Sequence, residues 1–199
     1  MRKIGTVILA SKSPRREELL SRLGLKGIKI LPSNISEDIE PDAEPAAAVM
    51  ALSRAKAEAA AAKAGEGDII IAADTIVVFD GIALGKPADE TEAFKMLATL
   101  SGKWHRVYTG VTVARDGAYE TEYEETDVLF RELSSGEVEA YIASGEPMDK
   151  AGAYGIQELG ALLVERIEGD FYNVMGLPLC RLGRMLGRAG LDLLAAEEK

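Results

Sequence analysis

The chain is poor in the residues that announce a covalent staple, a zinc centre or a membrane span. Its 199 residues contain one cysteine, Cys180, and one histidine, His105. A single cysteine excludes an intrachain disulfide and fits a reducing compartment. Leu179 and Leu182 beside it give Cys180 the reading of a packed thiol rather than a nucleophile. His105 has no partner histidine, so a zinc site or a Cys–His pair is not expected, and Trp104 next to it reads as packing. No run of roughly 18 apolar residues occurs, which argues against a transmembrane helix. The apolar run Ile4 to Ala10 is too short for a secretion signal and is followed by Pro14-Arg15-Arg16 rather than a small-residue cleavage site. A cytoplasmic location with no membrane partner is therefore expected. Basic residues are outnumbered, 23 against 33, for a net charge of −10. That balance argues against a nucleic-acid partner, which wants a basic surface. It leaves room for a small anion held by a local basic cluster.

What is present suits one folded domain. The chain is 47% apolar and 28% charged, long enough for a core without staples. Strands are expected at about Ile4–Ala10, Ile28–Leu31, Asp68–Phe79, Arg106–Arg115, Ala118–Val128 and Ala161–Glu168. Helices are expected at about Pro14–Leu23, Pro45–Lys63, Asp89–Leu100, Ser134–Ala143 and Pro178–Arg188. Asp80-Gly81 and Asp116-Gly117 are hairpin turn signals. Asp89 with Glu92, and Ser134 with Glu137, have the spacing of capping boxes. Gly145–Gln157 reads as loop, and Ser33–Glu44 as an acidic loop. Strands and helices mix without strict alternation, so the fold class is α/β with a mixed, partly antiparallel sheet. No linker separates domains, and residues 1–199 read as one unit.

The most informative segment is Ser11-Lys12-Ser13-Pro14-Arg15-Arg16, between the first strand and the first helix. Pro14 suits the first helical position and Ser13 the N-cap. The unpaired N–H groups and positive dipole end of a helix attract anions. Arginine forks grip phosphate oxygens in pairs. The segment reads either as a polyphosphate pocket or as a surface loop with two solvated arginines.

Asp74 interrupts Ile71-Ala72-Ala73-Asp74-Thr75-Ile76-Val77. A carboxylate in such a strand is costly to bury alone. It must meet backbone donors or a lysine, or act as a metal ligand or general base. Glu37, Asp38 and Glu40 offer further oxygen ligands of the kind hard divalent cations take, or form a solvated acidic loop. Lys56, Lys86 in Gly85-Lys86-Pro87, and Lys150 in Asp149-Lys150-Ala151-Gly152 are candidate cations. Gly85-Lys86-Pro87 is not a Walker A loop, which counts against a kinase-like transferase. In Tyr154-Gly155-Ile156-Gln157 the aromatic ring can pack beside a ligand, and the amide can read a base edge with a donor and an acceptor.

Taken together and in order, several of these motifs resemble the Maf family of nucleoside triphosphate pyrophosphatases. The matching stretches are Leu9 to Arg16, Ala73-Asp74-Thr75, Gly85-Lys86-Pro87, Ser101-Gly102, Glu146 to Gln157, Gly169-Asp170 and Val174 to Pro178. The resemblance implies a mixed twisted sheet with flanking helices, in two lobes around a cleft, similar to inosine triphosphate pyrophosphatases. It implies metal-dependent hydrolysis, with Mg²⁺ or Mn²⁺, between the α and β phosphates of a nucleoside triphosphate. By the same resemblance Asp74 is the catalytic carboxylate, Glu37 and Asp74 are metal ligands, and Ser11, Arg16, Lys56 and Lys86 occupy phosphate-site positions. Arg15, Thr75 and Gln157 match the subgroup acting on dTTP and UTP; a sister subgroup acting on 7-methyl-GTP differs at these positions. A homodimer is implied as well. The family's older label, septum-formation inhibitor, leaves a non-catalytic nucleotide-binding regulator of cell division as the alternative.

Overall fold

The structure is a computed structural model that describes residues 4–33, 35 and 43–194. Strand β1 (Val7–Leu9) leads into helix α1 (Pro14–Arg22) and strand β2 (Lys29–Ile30). Helix α2 (Pro45–Ala61) then crosses to strand β3 (Ile69–Phe79), which turns into β4 (Ile82–Leu84). Helix α3 (Glu90–Leu100) precedes the long pair β5 (Trp104–Arg115) and β6 (Ala118–Phe130). Helix α4 (Ser135–Ala143), a run of 3₁₀ turns, strand β7 (Val164–Glu168), the single-turn helix α5 (Phe171–Val174) and helix α6 (Leu179–Arg188) complete the described chain. The seven strands form one mixed sheet in the order β2-β1-β3-β5-β6-β7, with β4 also paired to β3. Strand β1 is parallel to both β2 and β3, and every other pairing is antiparallel. The expected α/β class and mixed sheet are borne out.

The parallel part places the site. From β1 the chain steps outward to β2, then returns over the sheet to β3 on the other side of β1. In open α/β sheets such a reversal opens a crevice at the carboxyl ends of the strands. The crevice is widened by a gap in the ladder. Strand β1 pairs with β3 only over Ile69–Ile71, and β4 pairs with it only over Val77–Phe79. The edge of β3 between these two partners carries Ala73, Asp74 and Thr75.

Side chains alternate across β3. Ile69, Ile71 and Ala73 join Leu19, Leu20, Leu182, Met185 and Leu186 in a cluster beneath α1 and α6. Ile70 and Ala72 face the other way, against Ala57 and Ala60 of α2. Apolar packing resumes beyond the gap, with Val77 on one face and Ile76 on the other. Asp74 and Thr75 therefore interrupt the core on opposite faces at the same point of the strand.

Helix α2 lies close on the sheet because the residues beneath it are small. Gly110 is paired in register with Asp74. A Cβ built on Gly110 would sit 2.2 Å from the Val49 carbonyl oxygen. Ser53 and Thr112, in the same contact, share a hydroxyl hydrogen bond of 3.0 Å.

The hairpin signals hold. Asp80 and Gly81 have φ of 50° and 78°, and Asp116 and Gly117 have 49° and 81°. Two consecutive left-handed residues are what a type I′ turn requires, and Asp-Gly supplies them at low cost. The Ser134–Glu137 capping box forms as expected. At α3, Asp89 accepts from Glu92 N–H, while the Glu92 carboxylate reaches the N–H of Ala88 rather than that of the cap.

Other expectations need correction. The strand expected from Ala161 begins at Val164, because Leu159–Leu162 forms a 3₁₀ turn. Part of the expected loop at Gly145–Gln157 is 3₁₀ turns, at Glu146–Asp149 and Ala151–Ala153. Cys180 is exposed rather than packed. The buried side of α6 runs through Leu182, Met185 and Leu186, and position 180 lies on the opposite side of the helix. Trp104, at the open end of β5, is 42% exposed.

His105 is 3% exposed, packed edge-on against Phe130 and Tyr154. Its Nε2 is 2.8 Å from the Tyr154 hydroxyl. Burial disfavours the imidazolium and lowers its pKa from 6.5 to about 4, against smaller upward pulls from the Lys103 backbone and Asp127. As pH falls the unfolded chain takes up this proton first. The stabilisation is thus complete above pH 6.5 and is lost between 6.5 and about 4. We expect the loss to be on the order of 3 kcal/mol. Urea unfolding at pH 7 and pH 4.5 should show wild type losing about 2 kcal/mol more than His105→Gln, the part of that loss reached by pH 4.5; equal losses would contradict the buried neutral imidazole. The α2 contact makes a second prediction. Gly110→Ala should destabilise the fold by about 3 kcal/mol, the upper end for overpacking, since the obstructing atom is backbone. A urea midpoint matching wild type would show that α2 does not rest on β5 as described.

Candidate active site

The crevice is a cleft of about 580 Å³. Helix α1 contributes its N-terminal turn, where Ser13 has the extended backbone of an N-cap and Pro14 stands in the first turn, as expected. Ser13 makes no side-chain capping bond. Instead, the Ser11 hydroxyl accepts from the Ser13 N–H at 3.1 Å. It also accepts from Arg16 Nη1 at 3.1 Å.

Among the described residues six cationic side chains line the cleft, Lys12, Arg15, Arg16, Lys56, Lys86 and Lys150, with two carboxylates, Asp74 and Asp149. A chain of charge −10 thus has a strongly positive hollow, and low-dielectric walls sharpen its field for an anion.

Arg16 is buried and knits the cleft floor together. Its Nε donates to the Gly176 carbonyl at 2.8 Å, and Nη1 donates to the Ala73 carbonyl at 2.8 Å. The second of these bonds engages backbone on the edge of β3 left open between β1 and β4. Nη2 donates to the Thr75 hydroxyl at 3.0 Å. The Thr75 and Thr109 hydroxyls lie 2.9 Å apart, and Thr109 donates onward to the Asn173 carbonyl. Asn173 is anchored in turn, its amide donating to the Val107 carbonyl and the Thr126 hydroxyl. The Thr75 hydroxyl is fixed in direction by this chain of bonds.

On the opposite face of β3 lies Asp74. Lys56 Nζ donates to Asp74 Oδ1 at 2.5 Å, with side-chain exposures of 7% and 10%. The lysine that sequence reasoning left open as a partner for Asp74 is therefore Lys56. Removing one member of a buried pair strands the other charge, at a cost of about 3–5 kcal/mol. The two groups are held together by α2, which also supplies the lysine.

The wall across from α1 comes from the segment after α4. Tyr141 donates to Glu146 Oε1 at 2.8 Å and accepts from the Gly155 N–H. Glu146 also accepts from the N–H groups of Leu159 and Gly160. Burial, with the Glu146 carboxylate beside it, raises the pKa of the Tyr141 phenol, so it stays a donor. The loop so clamped presents Lys150, Ala151, Tyr154, Gly155 and Gln157 to the cleft. Gln157 Nε2 is buried with no hydrogen-bond partner in the described protein. The apolar part of the cleft lining includes Val77, Val107, Tyr154 and Met175.

All the expected site residues within the described chain, Ser11, Arg15, Arg16, Lys56, Asp74, Thr75, Lys86 and Gln157, line this one cleft. Glu37 and Asp38 lie outside the described residues. Among the described residues no group of three or more His, Cys, Asp or Glu side chains is placed to hold a metal. A magnesium-type cation needs less, since it keeps waters and is bound by one or two carboxylates plus substrate phosphates. Asp74, at a cleft that suits phosphate, fits that role. Sequence reasoning gave Asp149 no role of its own; its only signal was its place in Asp149-Lys150-Ala151-Gly152. No helix among the described residues is long and apolar enough to cross a membrane.

The model of the Maf-like protein family matches residues 6–189. Among curated relatives, the dTTP/UTP pyrophosphatase of Caldicellulosiruptor bescii is 49% identical over 197 residues, covering 96% of this chain and 98% of that one. The dTTP/UTP pyrophosphatase of Moorella thermoacetica is 51% identical over 189 residues, covering 94% and 96%. Among solved structures, a HAM1 protein from Coxiella burnetii superposes with a TM-score of 0.51 at 17% identity, covering 92% and 98%. The Staphylococcus aureus Ham1 protein gives 0.50 at 14%, covering 92% and 99%, a likeness of fold. By the extent of the family match and its identity to these relatives, the chain belongs to the Maf-like protein family.

Proposed function

We propose that the cleft hydrolyses dTTP and UTP to the monophosphate and pyrophosphate. The observation that carries the reading is the pairing of Asp74 with Lys56 inside the same cationic cleft that the N-terminal turn of α1 opens into. The substrate assignment is also supported by relatives about half identical in sequence whose names carry that activity.

Each residue has a role on this reading. Ser11, Arg16, Lys56 and Lys86 face the triphosphate. Arg16, already hydrogen-bonded on several sides, serves as a fixed positive charge that does not reorganise during reaction. Asp74 orients the attacking water and takes up its proton as the oxygen bonds to the α-phosphorus. The α–β bridging oxygen departs with the pyrophosphate, and Lys56 and Lys86 stabilise the charge that builds there. A divalent cation, held by Asp74 together with phosphate oxygens and by Glu37 if that side chain reaches it, would supply further neutralisation of that charge. Arg15, Thr75 and Gln157 recognise the pyrimidine. The buried, unpartnered Nε2 of Gln157 supports this, because an amide donor left unpaired in the free protein is satisfied by a ligand carbonyl.

The test is an assay with dTTP, UTP, 7-methyl-GTP and ATP in the presence of Mg²⁺ or Mn²⁺, with identification of the phosphate product. Pyrophosphate from dTTP and UTP is expected. Release of γ-phosphate, or tight UTP binding with no turnover, would contradict the proposal. Asp74→Asn keeps an oxygen for Lys56 and should fold, yet lose roughly 100–1,000-fold in kcat. Near-normal turnover by that variant would remove Asp74 from the mechanism.

A further inference from the structure

One ion pair at the cleft is not explained by the roles above. Asp149 closes the 3₁₀ turn Glu146–Asp149, on the wall opposite α1. Its Oδ2 accepts from Arg15 Nη1 at 2.9 Å, across 134 residues of sequence. Its Oδ1 accepts from Lys150 Nζ at 2.8 Å. Lys150 is buried and also donates to the Glu146 carbonyl at 2.5 Å. Its stem lies along Gly155, where a Cβ would come within 2.7 Å of the lysine Cε. The lysine is thus set by the clamped loop, and the carboxylate is set by the lysine. Arg15 has a long side chain on the first turn of α1, and its guanidinium reaches Asp149 through Nη1. Burial pushes the Asp149 carboxyl up, but the hydrogen bonds from Lys150 and Arg15 outweigh it and keep the group ionised.

We propose that Asp149 is a positioning residue for nucleotide selection: it holds the Arg15 guanidinium over the cleft in the orientation that recognises a pyrimidine. The proposal rests on the reading of Arg15 as a base-recognition residue. A stabilising role is a poor explanation for the pair. Asp149 is 61% exposed, and ion pairs that open to water contribute little to folding. The geometry instead suits orientation, since an arginine must present its planar fork at one angle to bind a planar edge. Without the carboxylate, Arg15 loses that restraint, and Arg15 and Lys150 face each other as like charges.

A mutant cycle tests this, with the ratio of kcat/KM for UTP to that for GTP as the readout. Arg15→Ala should lower the UTP preference by about tenfold, the scale of one lost hydrogen bond to a charged donor. Asp149→Asn should lower it by about fivefold, mainly through KM, and add nothing further in the Arg15→Ala background, as expected of residues acting as a unit. Asp149→Glu should restore part of the preference. The melting temperature of Asp149→Asn should stay within about 2 °C of wild type. An unchanged preference in Arg15→Ala would overturn the base-recognition reading and this proposal with it. A lowered preference in Arg15→Ala with none in Asp149→Asn would overturn the proposal alone, as would an additive loss in the double variant. A collapse of the melting temperature in Asp149→Asn would assign the pair to stability instead.

Discussion

The shape of the cleft depends on the hydrogen bonds of the buried Arg16 guanidinium. On the edge of β3 left open between β1 and β4, the Ala73 carbonyl needs a donor, and Arg16 provides one. The same side chain ties down the Ser11 turn before α1, the Thr75 hydroxyl and the Gly176 carbonyl before α6. Four acceptors from three separate parts of the chain converge on one charged, planar group. A lysine, with a compact ammonium on a flexible stem, could not hold four acceptors in fixed directions. The gap in the sheet is thereby kept open as a binding crevice and does not collapse or pair with another edge.

The two faces of β3 divide the work. On one face, Thr75, Thr109 and Asn173 form a neutral hydroxyl and amide relay that fixes the cleft floor. On the other, Asp74 and Lys56 form a buried ion pair beneath α2. The residues are adjacent in sequence, and strand alternation separates the charged chemistry from the positioning chemistry. Small residues make the second arrangement possible, because α2 can bring Lys56 to Asp74 only if Gly110 and Ala72 let the helix approach. A negatively charged protein can then offer a polyanion a concentrated positive hollow while its outer surface stays acidic.

Much of this was legible in the sequence, for reasons that differ by element. The turn before α1 was readable because proline, serine and paired arginines have narrow conformational and chemical uses. Asp74 was readable because a carboxylate in an apolar strand is anomalous. The Asp-Gly hairpins and the Ser134 capping box were readable because those turns and caps have few sequence solutions. The partnership of Lys56 with Asp74 was not, since it depends on how α2 crosses the sheet. The position of Cys180 was misjudged because sequence neighbours on a helix do not share a face. The 3₁₀ turns that build the second wall have no periodic pattern. They are set by Glu146 bonds reaching Tyr141, Leu159 and Gly160, which only the folded chain reveals.

The central claim is that the break in the β3 ladder is the seat of a nucleoside triphosphate, with its phosphates at the α1 turn and its base at Gln157. A crystal structure with Mg²⁺ and a non-hydrolysable α,β-methylene analogue of UTP tests it most directly. The account predicts the phosphates among Ser11, Lys56 and Lys86, the α-phosphorus nearest Asp74, and the uracil within hydrogen-bond reach of Gln157. A nucleotide bound elsewhere, or seated with its γ-phosphate at Asp74 and its base away from Gln157, would contradict it.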